Sequence, residues 1–301
     1  MNGIILINKP KGCTSHDVVY KVKKIFNEKV GHTGTLDPMA TGVLPLLVGK
    51  GTQCSKYLIN HDKKYKVLLE LGKKTTTADS EGDVIEEKEV NLNLDDTKAI
   101  SAVLKLCIGR QMQTPPIYSA IKVNGKKLYE YARSGQEVEI KPREITIYDL
   151  KLLNVIPEKK QIEFEVTCSK GTYIRSLCET IAERLYTIGY MKELQRIQVG
   201  DFKLEDTITI EELQKYYEEN ELRKLEGKSF ISIEKIFNNK WQISLNDRDL
   251  RLFLNGVKLT QKYPDGIYRI YNKENFIGIG VIENNLLKRD IIIEWAFWGH
   301  F

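Results

Sequence analysis

Asp37 is the only acid in the stretch Gly31-His32-Thr33-Gly34-Thr35-Leu36-Asp37-Pro38-Met39-Ala40-Thr41-Gly42, which is otherwise built largely of glycines and small or apolar residues. The glycines allow tight turns and close approach of a ligand. Pro38 disfavours the helical region for the residue before it. A lone carboxylate held in such a loop suits a nucleophile better than a proton shuttle. An Asp-Pro pair among glycines also makes an ordinary turn, so the loop needs partners elsewhere in the chain before it means chemistry.

Other reactive residue types do not organise themselves. Cys13, Cys54, Cys107, Cys168 and Cys178 are odd in number and far apart, without a C-x-x-C pair, which argues against a zinc site and a disulfide framework. His16, His32, His61 and His300 are equally scattered. Val48-Gly49-Lys50-Gly51-Thr52 imitates a phosphate-binding loop but has Leu44 where the first glycine belongs and Gly51 where Ser or Thr belongs.

The 301 residues carry a net charge of +5 that is unevenly spread. Residues 1–74 hold 13 lysines against five acids, and residues 75–104 hold two lysines against eight acids. Residues 105–144 return to eight basic against four acidic side chains, among them Lys122, Lys126, Lys127 and Arg133, interleaved with Tyr118, Tyr129 and Tyr131. Cations beside aromatic rings suit a polyanion with stackable bases. No apolar run reaches the roughly 20 residues that span a bilayer, and the apolar start breaks at Lys9-Pro10, so a cytoplasmic protein is expected.

Periodicity supplies the elements that must position Asp37. Ser15 is placed to cap a helix over about 16–27, with Val18, Val19, Val22, Ile25 and Phe26 on one face. Residues 42–48 read as a buried strand, 52–59 as a short helix, and 64–71 as a strand with Tyr65 near its start. A helix over 95–107 precedes Thr114-Pro115-Pro116, which opens a loop-rich insertion. Residues 143–153 and 161–168 read as paired strands, and Gly171 turns the chain into a helix over about 173–185. That helix carries Arg175 in its first turn, an unfavourable place for a cation unless an anion answers it. A charged helix is expected over 208–226. Beyond it, a helix over 246–254 and strands over 266–272, 276–283 and 290–297 form a small, mostly β tail.

Gly31–Gly42 together with Gly42-Val43-Leu44-Pro45-Leu46-Leu47-Val48-Gly49-Lys50-Gly51-Thr52-Gln53 resembles the catalytic motif of the tRNA pseudouridine synthase B family. Further segments resemble that family in the right order. They are Ile7–Ser15, Lys63–Val67, Pro115–Ala120 and Ser169–Ser176, so the likeness spans most of the first 235 residues. It implies an α+β pseudouridine synthase fold: a mixed, largely antiparallel central sheet with flanking helices, and a small PUA-like RNA-binding tail. The expected limits are 1–237 for the catalytic domain, with an RNA-binding insertion at about 110–143, and 238–301 for the tail.

The resemblance also implies roles. Asp37 matches the nucleophile, Arg175 its arginine partner, and Tyr65 the tyrosine that stacks on the uracil and handles a proton. His32 matches a histidine that fills the gap left by an extruded base, Asp79 an acid near the arginine, and Leu194 an apolar contact. Lys9, in the first motif, and Lys122, Lys126, Lys127 and Arg133 are expected at the RNA. Where relatives carry several arginines, the segment 194–200 keeps only Arg196, which casts doubt on its grip on phosphate.

The implied reaction converts uridine 55 in the T-loop of tRNA to pseudouridine. Because it is redox-neutral, it requires neither cofactor nor metal. A monomer acting on the T-arm without an obligatory protein partner is expected. The competing readings are a guide-RNA-dependent synthase, whose longer basic extensions are not evident here, and a non-catalytic RNA chaperone that folds tRNA.

Overall fold

A computed structural model describes residues 1–58 and 61–293. The chain runs through β1 (Gly3–Lys9), α1 (Ser15–Phe26), β2 (Val30–His32), β3 (Thr41–Val48), α2 (Ser55–Leu58), β4 (Lys63–Leu71), the hairpin β5 (Lys73–Thr75) and β6 (Val84–Glu87), and α3 (Thr97–Lys105). It continues through β7 (Gly109–Gln113), the hairpin β8 (Lys122–Val123) and β9 (Lys126–Lys127), α4 (Leu128–Arg133), β10 (Arg143–Ile156), β11 (Gln161–Cys168), α5 (Ile174–Arg184), β12 (Gly189–Val199) and β13 (Phe202–Lys203). The last part holds α6 (Ile210–Glu218), β14 (Phe230–Ser232), α7 (Ile233–Ile236), β15 (Gln242–Ser244), α8 (Asp247–Leu254), β16 (Leu259–Thr260), β17 (Gly266–Asn272), β18 (Asn275–Glu283) and β19 (Leu286–Ile292).

A ten-stranded sheet follows the path β14-β1-β3-β12-β4-β11-β10-β7, with β2 added on β3 and β13 on β12. Its pairings are antiparallel except β3 with β12. This is the α+β architecture with a mixed, largely antiparallel central sheet. Period-two burial sets its faces: in β4, Tyr65, Val67, Leu69 and Leu71 are buried while Lys66 is exposed. One core joins these residues to Ile162, Phe164 and Val166 of β11 and to Leu177, Cys178 and Ile181 of α5. A second joins β1 and β3 to the apolar face of α1 and to Ile210 and Leu213 of α6.

Several boundaries differ from the sequence expectations for local reasons. Thr14, not Ser15, caps α1, through a capping box with Asp17. The charged segment after residue 208 is α-helical only to Glu218, because Asn220 takes a left-handed φ of 57° and ends it, and a short 3-10 turn follows at Leu222–Leu225. The last strand begins at Leu286 rather than Asp290, since Asn284 and Asn285, with φ of 53° and 61°, form the two-residue hairpin turn that precedes it. Ile59, and the part of the expected last strand from Glu294 onward, lie outside the described residues.

The tail forms a five-stranded sheet of order β15-β17-β18-β19-β16, closed by Leu250 and Phe253 of α8. Its Ile279 and Ile291 also pack with Ile4, Leu6 and Leu47 of the first sheet and with Phe237. Tyr57 and Lys56 bond Asp290 across the same junction. Ile279→Ala is therefore expected to cost about 2–5 kcal/mol and to lower one common unfolding transition. Two transitions in the denaturation curve, only one of them displaced, would show that the sheets melt independently.

Candidate active site

The Asp37 loop is held through its carbonyl oxygens. Ser15, freed from capping, donates to the Leu36 carbonyl at 3.1 Å and accepts the Leu36 N–H at 2.8 Å, which ties the start of α1 to the loop. Lys9, expected at the RNA, lies instead beneath the loop with no exposed surface. Its ammonium donates to the carbonyls of Pro10 and Pro38 at 3.1 Å and of Ala40 at 2.6 Å. All three ammonium protons have acceptors within the protein, which leaves none for a phosphate. Burial draws the Lys9 pKa below its usual value, opposed by Cys13 and Asp37.

Arg196 does the same from the far side. It is 1% exposed and donates to the carbonyls of Gly34 at 3.1 Å, Thr35 at 3.5 Å and Val43 at 2.8 Å. The doubt about its hold on phosphate ends there, because it faces inward and grips the loop. Gly42 makes this approach possible: its φ is +105°, and a Cβ there would meet the Arg196 carbonyl oxygen at 2.2 Å. Sequence reasoning missed this use of Arg196 and Ser15. The signal available for Ser15 was a serine one residue past a better cap; Arg196 sits among Lys192, Gln195 and Gln198 and carried no such signal.

Arg175, second residue of α5, is buried and extends its guanidinium between two carboxylates. Its Nε lies 3.3 Å from Asp37 Oδ2, its Nη2 donates to Asp37 Oδ1 at 3.3 Å, and its Nη1 lies 3.5 Å from Asp79 Oδ2. The same fork donates to the carbonyls of Thr77 at 3.2 Å and Tyr118 at 2.9 Å. Asp79 is fixed in turn by the Thr77 hydroxyl at 2.6 Å and the Glu81 N–H at 3.0 Å. The Asp37 side chain keeps 31% of its surface open, so a ligand can reach the carboxylate that Arg175 orients. Burial raises the Asp37 pKa above the ordinary 3.8, Arg175 and Lys9 pull it back, and Asp79 adds to the rise.

Tyr65 stands directly opposite Arg196 in the β4–β12 register, and Leu194 opposite Val67. Leu194 shares the apolar cluster of Leu36, Met39 and Tyr65. Burial pushes the Tyr65 phenol up to about 12, so it is protonated at neutral pH. His32, on β2, has an enclosed Nδ1 without a hydrogen-bond partner among the described residues. Burial, followed by Arg196 and His16, pulls its pKa below 6.5, which leaves a neutral ring.

The insertion is rooted at the site. Gln113 clamps the backbone of Tyr173, accepting its N–H at 2.8 Å and donating to its carbonyl at 3.0 Å, and Ser176 donates to the Thr114 carbonyl at 3.2 Å. Beyond that root, Asn124-Gly125 turns the β8–β9 hairpin with φ of 51° and 82°, a two-residue signal the sequence reading passed over. Lys126 sits 4.9 Å from the Tyr131 ring centre, while Lys127 and Arg133 sit 5.3 and 5.4 Å from that of Tyr129. Lys122 and Arg133 are exposed. Surface grooves of about 430 and 630 Å³ lie against α6, the second also against α1, while one of about 210 Å³ borders the loop at Met39 and Thr41.

Residues 23–174 match the TruB family pseudouridylate synthase N-terminal domain, and residues 175–228 match the tRNA pseudouridylate synthase B C-terminal domain. The chain belongs to the TruB family. It is 44% identical over 289 residues to the tRNA pseudouridine synthase B of Clostridium kluyveri, covering 93% of this chain and 96% of the relative. Identity to that of Clostridium novyi is 42% over 297 residues, 96% of this chain and 98% of the relative. The fold is similar to a chain in the crystal structure of the archaeal box H/ACA sRNP Nop10-Cbf5 complex, with a TM-score of 0.67, 25% identity, and coverage of 100% of this chain and 89% of that one.

A carboxyl whose pKa is raised in the fold loses stability for the protein as pH climbs through that value. In this TruB-family protein, Asp37→Asn removes that loss, so the variant's melting temperature relative to native is expected to rise from acid to neutral pH. The opposite slope in paired melts would mean that the Arg175 ion pair outweighs burial.

Proposed function

We propose that the chain is a tRNA pseudouridine synthase that converts uridine 55 of the T-loop, acting in the cytoplasm as a monomer without a cofactor or an obligatory protein partner. The observation that carries this reading is the reachable Asp37 carboxylate, held against the fork of Arg175 in a chain of this family. The tRNA substrate is that named for relatives matching nearly the whole chain. Among the described residues no helix is long and apolar enough to cross a membrane.

In this reading the target base is extruded from the loop, which costs a few kcal/mol, and the neutral ring of His32 occupies the gap. Tyr65 stacks on the uracil beside the apolar Leu194. Asp37 attacks as a nucleophile while Arg175 fixes the direction of its lone pairs through a two-point contact. The bond from C1′ to N1 breaks, the base turns, and C1′ bonds C5; N1 takes up a proton, C5 gives up its hydrogen and the bond to Asp37 is released, so the product is an isomer of the substrate and the carboxylate is regenerated. Residues 1–237 are read as the catalytic part, and 238–301 as an RNA-binding tail.

An unmodified T-arm stem-loop with tritium at uracil C5 tests this directly. The native protein is expected to release the label in the absence of any other RNA, and Asp37→Asn to lose release while still binding. Release that depends on an added guide RNA would favour the guide-dependent reading, to which the likeness to the box H/ACA chain points. Binding without release in the native protein would favour an RNA chaperone.

The insertion is read as the phosphate grip. Among the described residues Lys122, Lys126, Lys127 and Arg133 form no ion pair; the last three lie beside tyrosine rings. Replacing all four with glutamine is expected to reduce the slope of log affinity against log salt by about 0.7–0.9 for each phosphate no longer neutralised. An unchanged slope in filter binding would make the block an ordinary solvated face.

A further inference from the structure

The lysines at the start of β4 meet different fates. Lys64 lies 2.5 Å from Glu165 and Lys66 2.8 Å from Glu163, both partners on β11. Lys63 stands instead opposite Cys168 of β11 and Val199 of β12. Cys168 belongs to the apolar cluster of Tyr65, so Lys63 shares the sheet face of Tyr65, two residues or about 7 Å along the strand. Lys63 is half-buried, and among the described residues it forms no ion pair and its ammonium donates to the His61 carbonyl alone. An ammonium carries three protons, so two are left for a ligand.

The groups around it are engaged, uncharged or of the same sign. Asp62 accepts from the Tyr148 hydroxyl at 3.4 Å. Burial pushes the Cys168 thiol up to about 12, which leaves it neutral. Arg196, opposite Tyr65, is spent on three loop carbonyls. Burial, then Arg196, draws the Lys63 pKa below its usual value, with Lys170 adding to the fall and Cys168 and Asp62 opposing it. A half-buried cation near two other cations and one carboxylate is a costly arrangement that a bound anion relieves.

We propose that Lys63 binds the RNA backbone, holding a phosphate that flanks the extruded uridine while the base stacks on Tyr65. This contact presupposes the pseudouridine synthase reading. The ribose and phosphates of a nucleotide lie past the edge of its base, so a uracil laid on Tyr65 brings a flanking phosphate within reach of a lysine one strand step away. That phosphate moves with the uridine as the base leaves its stack. Lys63 therefore favours the extruded state, and its paired neighbours Lys64 and Lys66, on the other face, do not take part.

T-arm stem-loops in which one phosphate at a time, on either side of the target uridine, is an uncharged methylphosphonate probe this contact in the full-length chain. Lys63→Gln is expected to lower the single-turnover rate at subsaturating, unmodified stem-loop by about tenfold, the scale of one hydrogen bond to a charged group. It is also expected to reduce the slope of log affinity against log salt by about 0.7–0.9. With one of the two flanking phosphates neutralised, the native protein is expected to show that same loss and Lys63→Gln to add less than about twofold to it, as for two halves of one contact. Lys63→Arg keeps the charge and is expected to recover most of the rate. Lys66→Gln is expected to respond to the methylphosphonates as the native protein does.

An equal loss for Lys63→Gln on every stem-loop, or an unchanged salt slope, would overturn the proposal and leave Lys63 as a prop for the turn at His61. If Lys63→Gln fails to fold, Lys63→Met, which keeps the length of the side chain without its charge, is read in the same way. Failure of both neutral variants beside a folded Lys63→Arg would make the charge structural and overturn the proposal as well. A native protein that releases no label from any RNA, yet loses affinity at one flanking phosphate only when Lys63 is present, would sink the functional reading and leave the phosphate contact standing.

Discussion

Two buried cations solvated by backbone carbonyls hold up the rest of this structure. Lys9 at the end of the first strand and Arg196 in the centre of the sheet reach the loop around Asp37 from different elements and bond the carbonyls of residues 34, 35, 38, 40 and 43. A loop rich in glycine and free of regular secondary structure would ordinarily be mobile, with carbonyls that seek water. Here those oxygens take the place of water around the cations, so loop and cations satisfy each other. Because the contacts run to backbone, the loop side chains stay available, and the Asp37 carboxylate is left partly open.

Arg175 then joins this loop to segments far from it in sequence. One guanidinium contacts the loop at Asp37, the turn after β5 at Thr77 and Asp79, and the insertion at Tyr118. A lysine could not span these points, since its ammonium is compact and lacks the planar fork. Two carboxylates share this single cation, so burial and Asp79 raise the Asp37 pKa while Arg175 lowers it. The carboxylate is thus oriented without being wholly neutralised by its partner.

The sheet supplies the precision. β12 lies between β3 and β4, parallel to one and antiparallel to the other, so Arg196 is placed at once under the loop that leads into β3 and opposite Tyr65 of β4. A slip of one residue would turn both side chains to the other face. The close approach at Gly42 and the alternation of buried residues in β4 hold that register. The tail sheet adds to it, because Ile279 and Ile291 close the apolar surface that β1 and β3 present on their outer side.

Local order was legible in the sequence wherever it depends on neighbours along the chain. The alternation Tyr65, Val67, Leu69, Leu71 marks β4, the spacing of Val18, Val22 and Ile25 marks the buried face of α1, and Gly171 marks the entry to α5, because side-chain period and backbone freedom are properties of a few successive residues. The glycines and Pro38 marked the loop for the same reason. Their pattern, with the motifs that resemble the family, was enough to name the side chains that meet there. What the sequence could not say is which polar groups would face inward. Lys9 looks like a surface cation, Ser15 like a helix cap, and Arg196 like a remnant of a phosphate-binding strand. Each is decided by the partners that folding brings from 21 to 162 residues away. A buried charge is tolerated only where distant carbonyls converge on it, and that convergence exists only in the tertiary structure.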